Sequence, residues 1–287
     1  MKTIQWFPGH MAKAMRMMEE NVKLCDAVVF VLDARAPAST YNKKLDDLLG
    51  GRPVLYLFNK WDLSDAREEQ LFAAMEESGK RAAKLTATNP RMAHTVKAAM
   101  ESLVAEKIQR LKEKGSNRPL RFLIAGVPNT GKSTVINLLS GAKRTVTGDK
   151  AGVTRSKQWV KCGSFELMDT PGTMPPSFSN QTLARRLAYI GSVNDDILEM
   201  DEIALSLLED LFAIAPETLG ERYGIEGGTP LEMLEQVCVR RGFMLRGGEY
   251  DYERGERAVV DDFRKGKLGR ITLDSVEDMK EVALIHG

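Results

Sequence analysis

The stretch "LRFLIAGVPNTGKST", residues 120 to 134, decides the fold. Its apolar opening reads as a buried strand; Gly126 to Ser133 then fits G-x-x-x-x-G-K-S, and a helical run follows from Thr134 to Leu139. A glycine-rich turn between strand and helix exposes several backbone N–H groups where the helix dipole favours an anion. The expected ligand is a nucleoside triphosphate. The N–H groups of Asn129, Thr130, Gly131, Lys132 and Ser133 would cradle phosphates with Thr134 beside them, Lys132 would neutralise β- and γ-phosphate oxygens, and Ser133 would ligate magnesium. A glycine-rich turn without a ligand is the plain alternative.

Three further segments extend this reading. "LMDTPG" (167 to 172) ends a strand in Asp169, a carboxylate for the magnesium shell, and Gly172 leaves its N–H open to a γ-phosphate. Thr154 in "GVTRS" lies between the two, where a mobile threonine closes over the metal in nucleotide switches. "FNKWDL" (58 to 63) carries Asn59, Lys60 and Asp62; a carboxylate at Asp62 accepts from guanine N1–H and its amine together, a donor pair that adenine lacks. Asn59 would tie the binding loops together and Lys60 would lie along the base. In "KLTATN" (84 to 89), Thr86 and Ala87 form a second base loop whose Ala87 N–H would reach guanine O6.

Working outward, "AVVFVLDA" (27 to 34) and "PVLYLFNK" (53 to 60) are equally apolar, as parallel strands buried on both faces must be. Helical patterns at 65 to 77 and 93 to 114 alternate with them, and a hairpin across Gly163-Ser164 joins "SKQWVKC" to "FELMDT". After residue 180 helical segments take over, at 198 to 212, 231 to 243, 258 to 264 and 276 to 284, with a capping box at Thr229 and Glu232. The expected fold class is α/β, a mostly parallel sheet flanked by helices over 1 to 180, followed by a small all-α part over 181 to 287. The 287 residues allow such a pair. Net charge is +1, yet residues 1 to 189 hold 30 basic against 18 acidic side chains and the remainder 11 against 22. A basic nucleotide-binding part suits a polyanion such as RNA. Three distant cysteines argue against a zinc site or disulfide framework. The sequence carries no run long enough for a membrane helix and no secretory pattern, so a cytoplasmic protein is expected.

In chain order the base reader precedes the phosphate loop, the reverse of ordinary GTPases. This is a circular permutation, and "KEKGSNRP" (112 to 119) is the link that joins the old ends. With "WFPGHMAKA" (6 to 14), "DARAP" (33 to 37), "NKWDL", "GVPNTGKST", "GVTRS" and "DTPG" in this order, the chain resembles the circularly permuted GTPases, and among them the ribosome biogenesis GTPase A family, over nearly its whole length. The resemblance implies a slow GTPase that assists late assembly of the large ribosomal subunit, its helical part contacting ribosomal RNA. A monomer is expected. The position after D-x-x-G, where many GTPases hold a water-orienting glutamine, is Thr173, too short for that role and unlike the hydrophobic residue the family carries there. His10 is the replacement the resemblance implies, against the plainer reading that it caps a helix. Asn129 matches the asparagine that holds potassium in related GTPases, or it stabilises its loop. Met11, Met15 and Met18 read as core, and the cations from Arg240 to Arg270, with aromatic neighbours, as an RNA face or a solvated one. A tRNA-modification GTPase and a passive RNA-binding scaffold remain the alternatives.

Overall fold

The computed structural model describes residues 8–141, 159–174 and 180–286, with side chains from residue 15 onward. All of "GVTRS", Thr154 included, and residues 175–179 lie outside the described residues, and of His10 only the helical backbone is described, within Pro8–Val22.

Six strands form one sheet: β1 Ala27–Asp33, β2 Val54–Asn59, β3 Arg81–Lys84, β4 Leu120–Ala125, β5 Trp159–Cys162 and β6 Phe165–Asp169, in the order β3-β2-β1-β4-β6-β5. All pairs are parallel except the β5–β6 hairpin. Every residue of β1 is buried, because it lies between two parallel neighbours and helices cover both faces. The chain runs outward from β1 through β2 to β3, then returns to β4 on the other side of β1. Strand order therefore reverses between β1 and β4, and the loops leaving the carboxyl ends of β1, β2, β3, β4 and β6 share one edge. Such an edge is where open α/β sheets bind ligands.

The helical reading of 93 to 114 resolves into Ala93–Leu103 and Ala105–Glu113, broken at Val104, whose φ of −113° and ψ of 18° leave the helical region while its side chain stays buried. The permutation link is then pinned at its far end. Arg118 donates to both oxygens of Asp26 at 2.9 Å, and the Arg121 N–H donates to the same carboxylate at 2.9 Å. Burial alone would push the Asp26 carboxyl up, but Arg118 and Lys107 outweigh it and hold the group well below the usual carboxylate range.

The helical part centres on Met200–Ile214, whose Leu207, Leu208 and Leu211 are fully buried against Leu187, Val237, Val259 and Phe263. Helices Gln181–Tyr189 and Pro216–Tyr223 belong to it as well, though the sequence pattern did not mark them, and the helix expected at 258 begins at Tyr252. Thr229 and Glu232 form the expected capping box. This core also takes in Ala36, Val127 and Met174, which follow β1, β4 and β6. The last segment returns to the sheet: Leu273 N–H donates to Arg35 O at 2.7 Å, Asp274 accepts from Ser39 N–H and Oγ at 2.7 and 2.8 Å, and Met279, Leu284 and Ile285 join the core beneath β1 and β2.

Candidate functional site

The loop after β4 turns on itself. Thr130 Oγ1 and Lys132 Nζ both donate to the Val127 carbonyl, at 3.1 and 2.8 Å, so the ammonium sits at the loop's centre. Burial there pushes the Lys132 amine down to about 8, against the opposing pull of Asp169. Ser133 Oγ donates to Asp169 Oδ2 at 2.8 Å, which joins the first turn of helix Lys132–Ser140 to the end of β6. A hydroxyl beside a carboxylate is a hard-oxygen pair of the kind magnesium takes, so the residues present fit that ion. Thr134 follows, half-buried.

Asn59 joins the base reader to this loop. Its Nδ2 donates to Thr130 O at 2.7 Å, and its Oδ1 accepts from the Ala87 N–H at 3.1 Å. One buried amide thus connects the loops after β2, β3 and β4. The Ala87 N–H, expected to face a base, is committed to this contact instead, and the Thr86 N–H meets Met92 Sδ at 3.1 Å. Gly131 is required here. Its φ is 94°, and a Cβ would collide with Asn59 Nδ2. Lys60, itself left-handed at φ 61°, reaches across to the Asn129 carbonyl at 2.7 Å. Asp62 stands exposed in the short helix Trp61–Leu63, whose position is fixed by Trp61 packing edge-on against Phe58 and Phe72.

A residue to which the sequence reading gave no role completes the cluster. Asp33 is fully buried, and it accepts from Arg35 Nε and Nη2 at 2.9 and 2.8 Å and pairs with Lys60 Nζ at 2.8 Å. Burial alone would push its carboxyl up; the Arg35 and Lys60 cations outweigh that and hold it well below the carboxylate range. Asp33 lies in register with Asn59 at the ends of parallel neighbours, a juxtaposition that only the strand order reveals. Arg35, also buried, extends the cluster to the helical part, where its guanidinium lies 5.3 Å from the Phe263 ring centre.

The loop after β6 presses on the phosphate loop. A Cβ on Gly172 would come within 2.6 to 2.7 Å of Pro128 backbone atoms, so only glycine fits this approach. Thr173 is fully buried; its N–H donates to Gly126 O at 3.3 Å, and among the described residues its hydroxyl has no hydrogen-bond partner. From the helical side, Ser192 Oγ donates to Pro128 O at 2.8 Å and Asn129 Nδ2 donates to Gly191 O at 2.5 Å.

The residues expected to read a base, cradle phosphates and hold a metal therefore follow strands whose carboxyl ends share one edge of the sheet. Residues 121–214 match a family model described as 50S ribosome-binding GTPase. The chain is 38% identical to ribosome biogenesis GTPase A of Bacillus cereus, covering 97% of this chain and 96% of that one. It belongs to the ribosome biogenesis GTPase A family. The family member from Thermotoga maritima is 30% identical over 97% of both chains. A GDP-bound YlqF structure matches with a TM-score of 0.65 at 29% identity, covering 91% of this chain and all of that one; a GNP-bound YlqF from T. maritima matches at 0.61. As a member of this family the chain is a GTP-hydrolysing enzyme with a permuted α/β fold.

Proposed function

We propose that this GTPase serves assembly of the large ribosomal subunit, binding its ribosomal RNA according to nucleotide state, as a cytoplasmic monomer. The observation that carries the reading is Asn59, whose single amide holds the second base loop and the phosphate loop at once. In this reading Asp62 selects guanine and Lys60 flanks the base. The backbone of Asn129 to Ser133, with Thr134, Thr86, Ala87 and Gly172, completes the pocket. Lys132 neutralises charge that develops on the phosphate oxygens. Ser133, Asp169 and Thr154 would hold magnesium, which would supply positive charge against the phosphate oxygens. His10 orients the attacking water, delivered from outside the domain, and Asn129 takes potassium. No helix among the described residues is long and apolar enough to cross a membrane.

We further propose that residues 1 to 180 form the switch and 181 to 287 the ribosome-binding part. The hydrogen bonds from Ser192 and to Gly191, and the place of Val127 and Met174 in the helical core, support coupling between them. A loop that shifts with the third phosphate has to move helical side chains with it. Among the expected RNA-facing cations, Arg254, Arg257, Arg264, Lys265, Lys267 and Arg270 pair with carboxylates of this chain, which favours Arg240, Arg241 and Arg246 for contact.

Sedimentation with large subunits in GDP, GTP and a non-hydrolysable analogue tests the reading. Binding should differ at least several-fold between GDP and the analogue, ATP should not compete, and subunits should raise GTP turnover. Equal binding in all nucleotides with unstimulated turnover would overturn it.

A further inference from the structure

The end of the sheet away from the nucleotide loops carries a basic cleft of about 800 Å³ around the permutation link. Lys23, Arg52, Lys107, Arg118 and Arg121 line it, about one carboxylate, Asp26. Asp26 engages Lys107 at 2.6 Å and Arg118 at 2.9 Å, and Glu166 engages Arg121 at 2.9 Å. Five cations against two carboxylates leave an excess of three positive charges. Arg52 is held by carbonyls, Cys25 O at 3.1 Å and Leu49 O at 3.2 Å, which fix its guanidinium without neutralising it.

We infer that this cleft binds the phosphodiester backbone of RNA, as a second contact surface distinct from the helical part. The inference rests on the ribosomal reading above. Three observations favour a polymer over a small anion or a protein. The cleft is open, with Lys107, Arg118 and Arg121 each 42 to 46% exposed, so it engages a strand lying across it rather than enclosing a small ligand. Its wall includes the Gly50-Gly51 turn, and nothing lies within 4 Å of where a Cβ on Gly51 would stand, so a phosphate can approach the bare backbone. The charge also resides in this half of the molecule: residues 1 to 189 carry twelve more basic than acidic side chains, while the rest carries eleven more acidic than basic. A polyanion is drawn to the first half and repelled by much of the second. Pairing to Asp26 orders Lys107 and Arg118 in advance, which lowers the entropy cost of contact.

The cleft adjoins the amino ends of β1 and β4, whereas the nucleotide loops leave their carboxyl ends. With β1 seven residues long, that is about 20 Å at roughly 3.3 Å per residue. Its occupation can therefore be altered without touching the nucleotide.

The test is the paired variant Lys23→Gln/Lys107→Gln, which leaves Arg118 on Asp26. Binding to purified, protein-free large-subunit ribosomal RNA is titrated across salt for this variant, for wild type and for Lys23→Arg/Lys107→Arg. Two lost phosphate contacts should lower the slope of log K against log salt by about 1.4 to 1.8 and weaken binding at least roughly tenfold near 0.1 M salt. Intrinsic GTP turnover should be unchanged, and the arginine pair should bind as wild type does. A wild-type slope in the glutamine variant would overturn the inference while leaving the ribosomal reading intact, as would a loss seen only with intact subunits, which would mark the cleft as a protein contact. Wild type failing to bind the RNA would overturn the reading itself.

Discussion

Replacing Asp33 by asparagine keeps the side chain's size and removes one charge from the centre of the loop cluster. Lys60 is a quarter exposed and retains the Asn129 carbonyl, so its ammonium can turn towards water. Arg35 cannot, since its side chain is 2% exposed and its Nε and Nη2 both donate to Asp33. The variant thus leaves one buried guanidinium uncompensated, at a cost of about 3–5 kcal/mol in unfolding free energy. GDP affinity should fall about tenfold, because Lys60 loses one of its two anchors and a charged hydrogen bond contributes about 1.5 kcal/mol. Urea unfolding followed by fluorescence gives the first quantity, and titration with a fluorescent GDP gives the second. Adding Arg35→Met removes the orphaned charge and should recover most of the stability. A single variant that loses less than about 1 kcal/mol, or a double variant no more stable than the single one, would refute the argument that Asp33 serves chiefly to neutralise Arg35 and Lys60.

Asp62→Asn should act on specificity alone. Asp62 is exposed, so stability should change by no more than about 0.5 kcal/mol, while losing two charge-assisted bonds to guanine at ~1.5 kcal/mol each weakens GDP binding about a hundredfold. Xanthosine diphosphate, which offers a carbonyl where guanine has its amine, should bind the variant better than GDP does; calorimetry that finds GDP still preferred would count against Asp62 as the base reader. Glu68 predicts a pH effect. Burial pushes its carboxyl up to about 7 in spite of Arg270, so the folded chain holds a proton that the unfolded chain releases near 4.5. This group's favourable contribution is complete below about pH 4.5 and is lost as pH rises to about 7. Glu68→Gln mimics the protonated form and should flatten the fall in urea midpoint between pH 5 and 8; identical profiles would exclude the group.

The sheet was legible because strands buried on both faces are written as unbroken apolar runs, and the phosphate loop because its glycines and lysine stand at fixed spacing after one of them. β3, Arg81–Lys84, carries no such run, since it is short and only partly buried. Helix Tyr252–Arg264 was read late because "YERGER" offers little apolar face; Asp251 starts it by accepting from the Arg254 N–H at 3.3 Å. What local pattern could not show was pairing across long sequence separation. Asp274 answers Ser39, and Arg270 answers Glu68, so cations and carboxylates that looked like a solvated or RNA-facing stretch are structural. The role of Asp33 belongs to the same class, for it depends on which strand lies beside which.

Permutation gives this site a property that the ordinary chain order would not. Opening new termini before β1 places the phosphate loop in the chain's middle and lets the segment after Gly172 run into the helical part instead of into another sheet strand. Val127 and Met174 consequently stand in one apolar core with Leu187 and Leu207, and Ala36, beside Asp33 and Arg35, stands there too. Close-packed protein cores in general resist continuous deformation and rearrange between discrete settings. Under the coupling proposed above, a nucleotide that favours one setting of these loops would favour one setting of the helices, and by linkage whatever the helices bind would change nucleotide affinity by the same factor.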